Sequence, residues 1–136
     1  MGGAAGLKIL LDTHIWVWRL LEPERLSPRL ADLLAEPGHE LYLSPISIWE
    51  TLVLARKGRL ILEPDPAAWV RTALRKSATT MAPFDHEVAL RSEDLASFGS
   101  KDPADRFLVA TALVHGLTLA TADRAMHTFE ALPVVG

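Results

Sequence analysis

Short apolar stretches separated by helix-length segments are the feature of this 136-residue sequence that most limits its fold. Strand-length apolar runs occur at 7–13, 40–44, 79–83, 117–121 and 133–135. Several of the intervening segments open with Ser-Pro or Asp-Pro, a pair typical of helix starts. Buried strands alternating with helices are characteristic of a parallel sheet covered on both faces. We therefore predict an α/β fold with a mainly parallel central sheet and helices on both faces.

The same pattern predicts the helices and the domain organisation. Helices are expected at 14–22, 27–38, 44–58, 65–78, 85–95, 102–116 and 122–132. A chain of this length is expected to form one domain with a substantial core. Residues 1–6, rich in Gly and Ala, are predicted to be a flexible N-terminus, and residues 7–136 the domain.

Composition excludes several classes of function. The chain has no cysteine, which excludes disulfides, thiolate metal sites and cysteine nucleophiles. No apolar stretch approaches the twenty residues of a membrane span, so we expect a soluble protein, consistent with a cytoplasmic location. The formal net charge of −3 argues against a DNA-reading protein, but it suits an enzyme that holds cations in an acidic pocket.

Two carboxylates follow predicted strands. Asp12 ends the first apolar run, and Asp123 comes just after the fourth. In open parallel sheets, sites form beyond the carboxyl ends of the strands, where the strand order reverses. Each residue would also serve as the cap of the helix that follows it, so a structural role remains open for both.

Two further carboxylates lie on apolar helix faces. Glu50 shares a face with Val53, and Asp105 shares one with Val109 and Ala112. Buried carboxylates need cations, hydrogen bonds or protons, and Mg²⁺ or Mn²⁺ is the economical cation for oxygen ligands. The alternatives are a solvated helix edge for Glu50 and, for Asp105, a box-like helix start with Asp102 as the cap.

Other chemistries find little support. The five histidines show no paired zinc spacing, Ser44 and Ser47 lack a nucleophile-elbow context, and no phosphate-binding glycine loop is present. The four tryptophans lie at helical positions and are expected to be mostly core, with one or two lining a partner groove.

The order of the acidic residues resembles that of PIN domains, especially the VapC-like toxins of bacterial type II toxin–antitoxin systems. The matching stretches are LLDTHIWVW (10–18), LSPISIWETLVLARKGRL (43–60), DPADRFLVATALVHGLTLATAD (102–123) and the closing LPVV (132–135). Together they span nearly the whole chain from Leu7 onward.

This resemblance implies an endoribonuclease that hydrolyses RNA phosphodiester bonds with Mg²⁺ or Mn²⁺ and activated water. The family's acidic residues correspond to Asp12, Glu50, Asp105 and Asp123, which would be catalytic and would bind the metal. Asp102 belongs to the variant DPxDR motif, as a cap, an outer-shell ligand or both.

The resemblance also implies partners. A homodimer is expected, together with a cognate antitoxin that inserts a segment toward the acidic pocket. The aromatic and leucine-rich helices near residues 14–35 and 45–57 are the candidate contact regions.

Alternative functions remain: a non-toxin PIN-like nuclease, or a catalytically silent binding module. A phosphotransferase with Asp12 as nucleophile would need a second Asp where this chain has His14. A receiver-like signalling domain would need Lys after the fourth strand, where Ala122 stands.

Overall fold

Strands and helices alternate along the residues that the computed structural model describes, which are 6–95, 102–127 and 134–136. The strands are β1 (Lys8–Leu11), β2 (Glu40–Leu43), β3 (Thr79–Met81), β4 (Thr118–Ala120) and β5 (Val134–Val135). The α-helices are α1 (Thr13–Leu21), α2 (Pro28–Ala35), α3 (Pro45–Arg56), α4 (Pro66–Lys76), α5 (His86–Asp94), α6 (Pro103–His115) and α7 (Arg124–His127). A 3₁₀ helix, Pro23–Arg25, joins α1 to α2 and was not expected from the sequence.

The strands form one sheet in the order β3-β2-β1-β4-β5, and all neighbouring strands are parallel. β1 lies at the centre, with Ile9 opposite Leu41 of β2 and Thr118 of β4. β2 and then β3 are added on one side of β1, and the chain then crosses over so that β4 pairs with the other side of β1. The strand order therefore reverses between β1 and β4, where the fold creates a crevice beyond the strand ends.

Alternate residues of β1 face opposite sides of the sheet, and each side has its own core. Ile9 and Leu11 lie in one core with side chains from α1, α2 and α4. Leu10 lies in the other core with side chains from α5 and α6. Each of these three β1 side chains is completely buried. Burial on both faces explains why the strand is apolar from Ile9 to Leu11, and it confirms the predicted α/β architecture.

The helix starts are those indicated by the sequence. Five helices besides α1 each begin after a Ser or Asp whose side chain accepts a backbone N–H of the first turn. These capping residues are Ser27 (α2), Ser44 (α3), Asp65 (α4), Asp85 (α5) and Asp102 (α6). Helix α6 ends at Gly116, whose φ of 66° is left-handed, as expected for a glycine that stops a helix.

Parts of two predicted segments cannot be compared with the structure. The flexible N-terminus predicted at 1–6 lies outside the described residues except for Gly6. The last predicted helix, 122–132, is represented by α7, and residues 128–133 lie outside the described part. Among the described residues, no helix has the length and apolar character needed to cross a membrane.

Candidate active site

Asp12 lies at the carboxyl end of the central strand, where it both caps a helix and faces the crevice. Its Oδ1 accepts the backbone N–H of Thr13 at 2.7 Å, which caps α1. Its Oδ2 accepts the hydroxyl of Thr121, from the end of β4, at 2.7 Å. Both oxygens are thus held by donors from separate parts of the chain. The capping role considered from the sequence is present, and the carboxylate also lies at the strand-order reversal.

Glu50 projects from the middle of α3 toward the same crevice and is held by a threonine. The Thr13 hydroxyl donates to Glu50 Oε1 over 2.5 Å, and it also lies 2.9 Å from the hydroxyl of Ser47. Ser47 sits one turn before Glu50, and both Ser47 and Thr13 are buried. Because a hydroxyl carries one hydrogen, Thr13 can donate to Glu50 while it accepts from Ser47. Glu50 therefore has a defined orientation.

Asp102 and Asp105 lie at the start of α6. Asp102 Oδ1 accepts the N–H of Ala104 at 3.0 Å, so its predicted capping role is confirmed. Asp105 is half-buried, on the stripe that continues into the buried Val109 and Ala112. Its backbone N–H donates to the carbonyl of Asp102 at 3.1 Å. The helix start thus presents Asp105 toward the interior side of the crevice, as its spacing predicted.

Asp123 follows β4 and is tied to Asp12 through a shared threonine. Its backbone N–H donates to the Thr121 hydroxyl oxygen at 3.0 Å, and that hydroxyl donates to Asp12. The ends of the two central strands are therefore linked by one buried side chain. Unlike Asp12, Asp123 is exposed.

All five carboxylates named from the sequence line one cavity of about 470 Å³. The remaining lining residues are Thr13, His14, Trp18, Arg25 and Ala122. Residues separated by more than a hundred positions in the chain thus meet in one crevice. We call this crevice the acidic cavity.

Burial in the acidic cavity raises the pKa of two of its carboxylates, Glu50 and Asp12. Burial raises the pKa of Glu50 to about 7, and the charges of Asp102, Asp12 and Asp105 add to that increase, while the Thr13 hydrogen bond opposes it. Burial also raises the pKa of Asp12, against the hydrogen bonds from Thr121 and Thr13. Both pKa values are raised, which shows that negative charge is unfavourable in the cavity and that a bound cation or proton would be favoured there.

The donor chemistry fits a hard divalent cation. Carboxylate oxygens are the ligands that Mg²⁺ and Mn²⁺ prefer, and the acidic cavity contains several of them. Within the described ranges, no three Asp, Glu or His side chains form, as placed, a group that could hold a metal ion. Coordination by three of these carboxylates would therefore require their side chains to draw closer together.

The hydroxyl groups that orient the acids were missed from the sequence. In the sequence, nothing distinguishes Thr13, Ser47 and Thr121 from other helix and strand-end residues. The LDT and TAD stretches nevertheless place Thr13 next to Asp12 and Thr121 two residues before Asp123. His14 and Arg25 of the cavity wall were also not singled out. A hydroxyl beside a strand-end acid is the one sequence signal that pointed to such a contact.

The tryptophans divide as expected between core and surface. Trp16 is completely buried and packs edge-on against Trp69, with ring centroids 5.7 Å apart. Trp18 is half-buried in the wall of the acidic cavity. Trp49, next to Glu50 in sequence, is 59% exposed. Two of the four are thus available at the surface around the site.

Comparison with known proteins gives consistent matches. The family model for the PIN domain matches residues 9–132. Ribonuclease VapC22 of Mycobacterium tuberculosis (strain ATCC 25618 / H37Rv) is 34% identical over 120 residues, covering 88% of this chain and 90% of that protein.

Solved structures share the fold. FitAcB from Neisseria gonorrhoeae has 27% identity and a TM-score of 0.62, covering 94% of this chain and 96% of that chain. VapBC2 from Rickettsia felis, bound to a DNA fragment from their promoter, has a TM-score of 0.70 over 95% of this chain and 98% of that chain, and its 16% identity shows the fold alone. Because the family model spans most of the sequence and a relative is 34% identical over 88% of this chain, the chain belongs to the PIN-domain family.

Proposed function

We propose that this protein is a metal-dependent endoribonuclease that hydrolyses RNA phosphodiester bonds. The observation that carries the proposal is the meeting of carboxylates from the ends of β1 and β4 and from α3 and α6 in one cavity. A relative with 34% identity bears the name ribonuclease, which supports RNA as the substrate.

In this proposal Asp12, Glu50, Asp105 and Asp123 hold Mg²⁺ or Mn²⁺, and Asp102 contributes from the outer shell. When bound, the cation lowers the pKa of water and offsets negative charge on the phosphate and leaving oxygen. Asp12 has a well-defined position because both of its oxygens already accept hydrogen bonds from the protein.

The protein side chains also orient and move protons. The Thr121 hydroxyl keeps the ends of β1 and β4 together, and Thr13 keeps Glu50 directed into the cavity. We assign Glu50, which Thr13 holds in the cavity, as a base that accepts a proton from an attacking water. Asp123, more exposed at the rim of the cavity, is the alternative base.

The direct test is cleavage of end-labelled RNA by the purified protein with Mg²⁺, Mn²⁺ or EDTA. We expect cleavage with either cation, none in EDTA, and none for Asp12→Asn. The matched control is Asp32→Asn on α2, an exposed carboxylate outside the acidic cavity, which should cleave like the parent. Cleavage by Asp12→Asn at the parent rate would refute the proposal.

We further propose that the enzyme acts as the toxin of a toxin–antitoxin pair. The VapC-like order of acids and the relative named VapC22 support this role. Expression of the chain alone in bacteria should arrest growth, and the small open reading frame beside it in its genome should relieve the arrest. Asp12→Ala should be harmless. Harmless expression of the folded parent would instead indicate a non-toxin PIN-like nuclease or a silent binding module.

The predicted homodimer and antitoxin contacts belong to the same proposal. The antitoxin is expected to cover the helices near residues 14–35 and 45–57 and to direct a segment to the acidic cavity. Light scattering on the purified chain should give twice the monomer mass of 14.9 kDa. A monomer at micromolar concentration would refute the dimer without affecting the assignment of the cavity.

A further inference from the structure

Two depressions adjoin the acidic cavity and include cationic side chains in their walls. One of about 170 Å³ includes His14, Trp18, Arg25 and Arg59 in its wall. The other, of about 320 Å³, includes His14, Trp49, Lys57 and Arg59, together with the carboxylates Glu50 and Asp102 that it shares with the acidic cavity. Each shares lining residues with the acidic cavity, so the three form one continuous surface. We call the six residues His14, Trp18, Arg25, Trp49, Lys57 and Arg59 the basic–aromatic rim.

The cations of the rim are available to an anion. Arg59 and Lys57 are exposed, and neither has an ion-pair partner among the described residues. Arg25 donates to Glu22 at 3.1 Å, so its charge is partly offset within the protein. A chain with a net charge of −3 thus concentrates three cations beside its most acidic cavity. That placement offsets the repulsion that the carboxylates would exert on an approaching polyanion.

The aromatic residues of the rim present faces and edges to the same surface. The guanidinium of Arg25 lies 4.5 Å from the ring centroid of Trp18, and the His14 ring centroid lies 5.8 Å from that of Trp18. Trp49 is 59% exposed, an unusual exposure for so large an apolar side chain. Cations interleaved with exposed aromatic rings are typical of surfaces that bind single-stranded nucleic acid, because phosphates contact the cations and unpaired bases stack on the rings.

We infer that the basic–aromatic rim binds the single-stranded RNA substrate on one side of the scissile phosphate, with Arg59 and Lys57 on phosphates and Trp49 stacked on a base. This inference rests on the proposed ribonuclease function, since it assigns the substrate path of the same cavity. An antitoxin segment that reaches the acidic cavity would cover part of the same rim, so antitoxin and RNA are expected to exclude each other there. Duplex RNA is disfavoured because its bases are already stacked.

The test is fluorescence anisotropy with a labelled twelve-nucleotide 2′-O-methyl RNA of mixed sequence, which lacks the free 2′-hydroxyls of RNA. Titrations are made in EDTA and in Mn²⁺ across a range of salt concentrations. The variants are Arg59→Gln, Lys57→Gln and Trp49→Ala. The matched controls are Arg71→Gln, an exposed Arg on α4, and Leu90→Ala, a 64% exposed apolar residue on α5.

We expect each cation variant to raise Kd about five-fold and to reduce the slope of log K against log salt by about 0.7, the value for one phosphate of a single strand. Trp49→Ala should raise Kd roughly ten-fold with an unchanged slope, because stacking involves no counterion. Both controls should stay within about two-fold of the parent, and melting curves should show that all variants are folded.

Two outcomes would overturn the inference. Rim variants that bind the probe with the parent Kd and salt slope would refute it, even if Asp12→Asn still abolished cleavage and so preserved the proposed function. Rim variants that keep RNA affinity but lose the neighbouring-gene antitoxin would assign the surface to a protein instead. Conversely, loss of probe binding in the rim variants with no RNA cleavage by the parent would support the rim and refute the nuclease proposal.

Discussion

Glu50 offers a quantitative test of the electrostatics, because its pKa is raised from 4.5 to about 7 by burial and by neighbouring carboxylates. In the metal-free protein we expect Glu50→Gln to become progressively more stable than the parent as pH rises. Gln keeps the size of Glu and retains a carbonyl oxygen for the Thr13 hydroxyl, but it has no charge.

The direction follows from proton linkage. Below pH 4.5 the carboxyl is protonated in both the folded and unfolded states, and the favourable contribution of the protonated folded form is fully present. As pH rises through the folded value of about 7, that contribution is lost because a charge is forced into the acidic cavity. The parent therefore loses stability over this window, whereas the Gln variant does not lose this contribution.

The magnitude can be worked from the same values. At about 1.36 kcal/mol per pKa unit, the full rise corresponds to about 3.4 kcal/mol, of which roughly 2.5 kcal/mol falls between pH 5 and pH 8. Glu50 is only half-buried, so solvent screening reduces this to about 1–2 kcal/mol. This change in unfolding free energy is large compared with the effect of an ordinary surface substitution.

The assay is urea unfolding in EDTA at pH 5 and pH 8 for the parent, Glu50→Gln and the control Glu93→Gln, an exposed glutamate on α5. The difference between parent and Glu50→Gln should grow by about 1–2 kcal/mol between the two pH values, and the control difference should not. A difference that is independent of pH would show that neither burial nor the neighbouring carboxylates raises the pKa of Glu50, and the reasoning would fail.

Four further predictions follow from the same contacts. Millimolar Mn²⁺ should raise the melting temperature of the parent above its value in EDTA. An equal increase in Asp12→Asn would show that the ions bind outside the acidic cavity. Asp105→Asn should abolish RNA cleavage with little loss of stability, whereas Asp102→Asn should keep partial activity because Asn can still cap α6. An inactive Asp102→Asn beside an active Asp105→Asn would refute the assigned roles. Thr13→Val should lower the unfolding free energy at pH 8 by about 1.5–3 kcal/mol in urea titrations, because the buried hydroxyl that donates to the Glu50 carboxylate is lost. An unchanged unfolding free energy would mean that water replaces the hydroxyl. Gly116→Ala should lower the unfolding free energy by about 1 kcal/mol in the same titrations, because a φ of 66° is unfavourable for a residue with a side chain. Steric contact would not contribute, since nothing lies within 4 Å of the added carbon. An unchanged unfolding free energy would refute this backbone argument.

Much of the architecture was predictable because it depends on local patterns. The strand β1 is predictable from an apolar run that is buried on both faces, and the helix starts from Ser or Asp followed by Pro. The inward position of Asp105 follows from helical periodicity, which requires only the residues of α6. These features are set within about one turn or one strand of the residues concerned, so the sequence already contains their causes.

The details of the site depended on contacts between distant segments. Asp12 and Thr121 are 109 residues apart, and Thr13 and Glu50 are 37 apart, yet hydrogen bonds join both pairs. These contacts exist because β4 returns to lie beside β1 and α3 passes the same strand end, and local patterns do not specify which strands become neighbours. The raised pKa of Glu50 has the same origin, since desolvation and charge repulsion depend on which groups the folded chain brings together.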